Sequence, residues 1–220
     1  MIRRIGLLAA LLLLLALQPL GASERASATI PLDGAPLQAI ELRTFDAWGG
    51  GSPLASYRRD GEAIRAELDL GVADRLEIIL HPAAPGNERL RIRQQYETSL
   101  TLMDEGPHMD LLDWTHFVSP WVELEATPEG SFIMPIPTSS KFPAVNTEEI
   151  VAAVETESAQ WEKEGYQSGE RWINLARQCR GPNDYPCGVG LSLIRLNIEV
   201  LDQGAWRTLE RIELSLPMGC

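Results

Sequence analysis

Residues 89–125 read RLRIRQQYETSLTLMDEGPHMDLLDWTHFVSPWVELE. Leu90, Ile92, Gln94, Tyr96, Thr98, Leu100 and Leu102 alternate with Arg89, Arg91, Arg93, Gln95, Glu97, Ser99 and Thr101. That two-residue period predicts one long strand with a single buried face. Glu105-Gly106-Pro107-His108 supplies turn residues, and an apolar run resumes at Met109. The stretch therefore reads as a hairpin followed by further strand, and the fold is expected to be β-rich around it.

The same period extends outward on both sides. Leu37 to Phe45 is a predicted first strand. Ile64, Ala66, Leu68 and Leu70 alternate with charged residues, as do Leu76, Ile78 and Leu80 after Gly71-Val72-Ala73-Asp74. These two segments are expected to pair as a hairpin. Trp121–Glu125 and Ser131–Ile136 form another across Thr127-Pro128-Glu129-Gly130. Near the C-terminus, Ile194, Leu196, Ile198 and Val200 alternate before the turn at Asp202-Gln203-Gly204-Ala205, and Ile212, Leu214 and Leu216 follow. Neither of these strands holds an internal proline, so both belong near the middle of a sheet.

Between the β regions the period changes. Asn146, followed three residues later by Glu149, is a helix-capping signal. Ile150, Val151, Val154, Ser158 and Trp161 then follow at helical spacing, up to about Gly165. Arg171–Gln178 carries a second such stripe, formed by Trp172, Leu175, Ala176 and Cys179, with a strand as the alternative reading. The expected fold class is α+β: a mostly antiparallel β-sheet of about eight or nine strands with one or two helices packed on a face. Two stacked sheets with a helical insertion is the alternative.

Residues 1–28 read as a cleaved signal peptide: Arg3 and Arg4, a Leu/Ala run from Leu7 to Leu17, then Pro19 and small residues. Cleavage is expected after Ser23 or after Ala28. Residues 29–220 form one domain, β-rich over 37–136, helical over 147–178 and closed by a β-hairpin over 190–216. The protein is expected to be periplasmic or secreted, with no membrane span. Losing Arg3, Arg4, Arg25 and Glu24 takes the formal net charge from −12 to −14. So acidic a surface disfavours nucleic acid; it is explained by solubility alone and also suits a partner protein with a basic surface.

Three cysteines lie in the last quarter of the chain. Cys179 and Cys187 bracket a turn-rich loop suited to a disulfide in an oxidising compartment. Cys220 is left over, free or bridging a dimer, and sequence alone allows three pairings. Candidate binding residues are the arginine ridge Arg89, Arg91 and Arg93, and the loop aromatics Trp48, Trp121 and Tyr185. The ridge is also explained by cross-strand pairing with Glu62, Glu67 or Glu77.

Chemistry is thin. In a continuous strand His108 and His116 would lie roughly 26 Å apart, too far to share a metal. Asp104 and His108 flank a turn and are expected to meet across it, as a structural contact or a general base. His116 is expected to pack beside Trp114 and Leu112 on a strand face. His81 ends a strand with no partner in view. The sequence has no nucleophile elbow, zinc-hydrolase helix or dinucleotide turn, and the three glycines after Trp48 lack the Lys-Ser/Thr of a phosphate loop. No metal or cofactor is implied. The reading is a non-catalytic exported binding protein of the inhibitor, immunity-protein or envelope-accessory kind. The alternative is an exported hydrolase, metal-dependent or not, using Asp104, His108 and His116.

Overall fold

The computed structural model describes residues 27–32, 36–44, 54–68, 75–84, 89–106, 108–111, 113–163 and 169–216. These hold strands β1 (Ser27–Pro31), β2 (Leu37–Thr44), β3 (Leu54–Asp60), β4 (Ala63–Leu68), β5 (Arg75–Pro82), β6 (Leu90–Met103) and β7 (His108–Asp110). There follow β8 (Phe117–Val118), β9 (Val122–Glu123), β10 (Glu125–Ala126), β11 (Phe132–Pro135), β12 (Cys187–Asp202) and β13 (Ala205–Ser215). Helices α1 (Thr147–Lys163) and α2 (Glu170–Ala176) lie between β11 and β12. The α+β class read from the sequence is what forms. Strands exceed the expected number: β1 and β3 have no counterpart in the sequence reading, β8 is a two-residue pairing too short to leave an alternation, and the Trp121–Glu125 segment yields two, β9 and β10.

The strands divide between two sheets. The first has the order β1-β2-β5-β11-β10 and is antiparallel throughout. The second runs β3-β4-β13-β12-β6-β7, with β8 and β9 also on the edge of β6, and only its β13–β4 pair is parallel. The C-terminal hairpin β12–β13 sits inside this sheet, as expected. Ile40, Leu42, Leu76, Ile78 and Met134 of the first sheet pack against Ile64, Ile92, Ile194, Leu196, Ile212 and Leu214 of the second in one buried core.

A second core lies farther along the long strands. Leu100 and Leu102 of β6 continue the face that Ile92 begins, and with Val189 and Cys187 of β12 they meet Ile150, Val154, Trp172 and Ala176 of the helices. One face of β6 is thus covered first by a sheet and then by helices. β12 keeps step through a bulge. Its apolar positions are Cys187, Val189 and Leu191, then Ile194, Leu196 and Ile198; the register with β6 shifts between Leu191 and Leu193. One extra residue there returns the apolar side chains to the covered face. Asn146 caps α1 as expected, its Oδ1 accepting from the Glu148 and Glu149 amides at 3.0 and 3.4 Å.

Three expectations about elements change. β4 and β5 do not pair: β4 lies between β3 and β13, and β5 between β2 and β11. Alternation records that each has one buried face, and both faces feed the same core from opposite sheets. The strand begun at Met109 breaks after Asp110, where Trp114 N–H turns back to Leu111 O at 3.2 Å. The Trp121–Glu125 segment is split, Val122 and Glu123 pairing with β6 while Glu125 and Ala126 pair with β11. At the N-terminus, Ser27 and Ala28 pair with Arg43 and Leu42, so the folded region starts before residue 29. Residues 1–26, Trp48, Leu112 and Cys220 lie outside the described residues.

Candidate functional site

The disulfide joins Cys179, after α2, to Cys187 at the head of β12, with Cα atoms 5.6 Å apart. Both cysteines are fully buried in the second core, which anchors the feet of the loop. Within the loop, Cys187 N–H donates to Asp184 O at 2.9 Å and Val189 N–H to Pro182 O at 2.7 Å. A Cβ at Gly181 would fall 2.6 Å from an Asp184 carboxylate oxygen, so the two residues stand close across the loop. Thr147 Oγ1, at the start of α1, donates to Cys179 O at 3.0 Å. A loop this well tied holds its tip in place.

At that tip Tyr185 is 63% exposed. Its neighbour Pro186 accepts from Met103 N–H at 2.8 Å, which sets the loop beside the β6–β7 turn. Met103 is itself 38% exposed. Arg171 of α2 forms an ion pair with Asp104 in this turn, and its guanidinium also feels the charge of Glu105. The Arg171 bond, helped by the Glu105 amide, holds the Asp104 carboxyl below its ordinary value. The result is a pole built from a turn, a helix and a disulfide loop, with two large apolar side chains beside a fixed ion pair.

The Asp104–His108 pair expected from the turn is replaced by two others. Asp104 is taken by Arg171, while His108 Nε2 lies 3.3 Å from Asp110 Oδ2, two residues along β7 on the same face. Asp110 Oδ1 accepts from Thr101 Oγ1 at 2.5 Å. His116 sits in the loop before β8, its ring 6.0 Å from that of Trp114, so the aromatic neighbour is as expected though the strand is not. Its Nε2 faces Ala144 O at 3.3 Å and its Nδ1 faces Thr98 Oγ1 at 3.0 Å. A carbonyl only accepts, so Nε2 carries the proton and Thr98 donates to Nδ1. Both ring nitrogens serve the fold. His81 does have a partner: its Nε2 lies 3.1 Å from Glu41 Oε2 on the adjacent strand. Among the described residues no three His, Cys, Asp or Glu side chains gather as a metal site.

The arginine ridge is largely occupied. Arg91 Nε donates to Glu199 at 2.6 Å, a second guanidinium nitrogen reaches Glu123 at 3.3 Å, and the guanidinium stacks 4.2 Å from the Trp206 ring. Arg93 lies over Trp121 at 5.7 Å, which leaves that tryptophan half-buried rather than at a free loop tip. Arg89 is exposed just before β6. Cross-strand pairing is therefore the right reading of Arg91, but its partners come from β12 and β9 instead of Glu62, Glu67 or Glu77. Glu199 stands directly opposite Arg91 across β12–β6.

Two features escaped the sequence. Met103 continues the charged phase of the β6 alternation, and an apolar residue there is the signal that would have found it. The other is a cleft of about 420 Å³ where the chain crosses from β9 to β10, floored by Tyr96, Leu124 and Ile133, walled by Val122 and rimmed by Glu123 and Glu125. Nothing in the period of residues 121–125 separates it from a buried strand. No protein-family model, curated protein or solved structure matches the chain. No helix among the described residues is long and apolar enough to cross a membrane.

Proposed function

We propose that this chain is an exported, non-catalytic binding protein that recognises another protein through the pole around Tyr185. The observation that supports the reading is the exposure of Tyr185 and Met103 together, on a loop tied by a disulfide and next to the Asp104–Arg171 pair. Tyrosine, methionine and arginine are the residue types that interface cores favour. A tyrosine held by a rigid loop loses little conformational freedom on binding, so more of its contact energy goes into affinity. The acidic net charge of −12 favours a partner with a basic surface around that anchor. The hydrolase alternative loses its constellation, because Asp104, His108 and His116 each serve a different neighbour.

The test is affinity capture from the exported proteome of the source organism, with the oxidised protein as bait. The variants are Tyr185→Ser with Met103→Ser, and separately Arg91→Glu with Arg93→Glu. One stoichiometric protein kept by the parent and the arginine variant, and lost with the Tyr185 variant, is the expected result. Loss with the arginine variant alone would move the site to the ridge, and no partner at all would remove the reading.

A further inference from the structure

We propose that the cleft at the β9–β10 crossing takes an extended segment of a protein partner in which apolar side chains alternate with lysine or arginine. This rests on the protein-recognition reading, but not on the Tyr185 pole. The cleft has the volume of a recognition pocket, which runs roughly from 300 to 1,000 Å³. Its floor is apolar: the Tyr96 ring, Leu124, Ile133 and two prolines, Pro135 and Pro137. The polar groups on its walls are the Gln94 amide, the Ser119 hydroxyl and the Glu123 and Glu125 carboxylates. Gln94 is 94% buried, being only 6% exposed, and spends its Nε2 on Pro135 O at 3.0 Å. That is the one side-chain hydrogen bond Gln94 makes among the described residues. Glu123 and Glu125 stand at the mouth, both exposed, and Glu125 forms no ion pair among the described residues. Arg91 already shares Glu123, so the unpaired Glu125 carboxylate at the mouth is what favours a cationic occupant.

The extent of the surface selects a polypeptide over a small molecule. Val122, on the cleft wall, is 59% exposed, and Val118, farther along the same edge of β6, is 44% exposed. An occupant confined to the cleft leaves Val118 wet. A chain segment running along the β8–β9 edge covers both and places successive side chains on alternate sides, one into the cleft and the next toward the acids.

The experiment titrates the oxidised, ¹⁵N-labelled protein with acetyl-Leu-Lys-Leu-Arg-Leu-amide, reading the amide resonances of Val122, Glu123, Leu124, Glu125 and Ile133. Saturable shifts confined to these residues are expected. Binding at least tenfold weaker is expected with glutamates in place of the lysine and arginine of the peptide, and with Glu125→Lys in the protein. Val122→Ser, at an equally exposed position, gives a second variant with the same direction of change. Basic and acidic peptides binding alike, an unaffected pair of variants, or no shift at millimolar peptide would overturn the proposal. So would decylamine giving the same shifts at equal concentration, since that marks a site for small amphipathic amines. A null here leaves the capture result at Tyr185 untouched, so the two failures are distinguishable.

Discussion

Asp104 shows how one side chain at the binding pole is set by its neighbours. Its carboxylate accepts from Arg171 Nε and from the Glu105 amide at 2.7 Å, and its ionised form is favoured so that it titrates below the ordinary 3.8. A lowered carboxylate stabilises the fold above its unfolded pKa, and that contribution is lost as pH falls through the folded value. Arg171 is largely exposed and the pair is screened from that side, so its effect is local orientation more than global stability. Arg171→Gln is expected to return Asp104 toward 3.8, read by a carboxyl-carbon NMR titration. An unmoved titration would mean that the Glu105 amide alone holds it. Glu41 follows the same sign through different causes. Burial pushes its carboxyl up, but Arg43 at 2.9 Å and His81 at 3.1 Å outweigh this and leave it below 4.5. Glu41→Gln should therefore be less stable than the parent at neutral pH. The gap should close as the pH drops below 4.5, in urea unfolding followed from pH 7 to pH 3. A gap that stayed constant would show that Glu41 acts through packing alone.

The helices meet at one close approach. A Cβ on Gly169 would lie 2.1 Å from Ser158 Cβ, so α2 begins against the wall of α1 only because residue 169 is glycine. Ser158 is buried and its Oγ has no hydrogen-bond partner among the described residues. Gly169→Ala should cost about 1–3 kcal/mol through overpacking. Ser158→Ala should be neutral or stabilising by up to about 1 kcal/mol, since it removes an unsatisfied hydroxyl. Thermal unfolding of the two variants and of Gly169→Ala with Ser158→Gly, in which the clash is relieved, separates the causes. Ser158→Ala losing stability would mean the hydroxyl is satisfied after all. Strand β1 yields a prediction about processing. If the leader is removed on export, cutting after Ser23 keeps the Ser27–Arg43 and Ala28–Leu42 rungs, whereas cutting after Ala28 deletes them. Intact mass of the exported protein should place the N-terminus at Glu24, and a Thr29 start would count against it. What could be read at this scale followed from uninterrupted period: β6, the β12–β13 hairpin and α1 with its Asn146 cap. What could not be read was partnership. Nothing local to Ile64–Leu68 or Leu76–Leu80 says which sheet each joins, and nothing near Asp104 announces Arg171, which a helix delivers from far along the chain. Tyr185 was legible because cysteine spacing closes its loop; the β9–β10 cleft was not, because it is made by three segments that meet only in the fold.

At the level of the whole molecule, the two cores share two strands. Ile92, Ile194 and Leu196 lie in the inter-sheet core, while Leu100, Leu102 and Val189 of the same β6 and β12 lie beneath the helices. The open face of this sheet is a charged belt: Glu97–Arg195 at 2.5 Å, Arg195–Glu213 at 3.9 Å, Arg65–Glu213 at 3.0 Å and Arg65–Asp60 at 2.8 Å, across five strands. Surface pairs of this kind contribute roughly 0–1 kcal/mol each, so cohesion comes from the buried face. The helices depend on strands that also carry the sandwich, and losing the second core strips apolar cover from half of β6. The structure therefore predicts one cooperative unfolding unit rather than a sandwich that survives its helical cap. Trp161 and Trp172, edge-to-face at 6.4 Å between the helices, report on the second core. The sheets dominate far-ultraviolet circular dichroism. In urea the two signals should share a single midpoint in the oxidised protein. Leu100→Ala in the second core and Leu42→Ala in the first should each lower it by an amount worth roughly 2–5 kcal/mol while the signals stay coincident. A tryptophan transition that Leu100→Ala moves ahead of the dichroism transition would instead separate the helical cap from the sandwich. The Tyr185 pole would then stand on an element that opens before the rest of the protein unfolds.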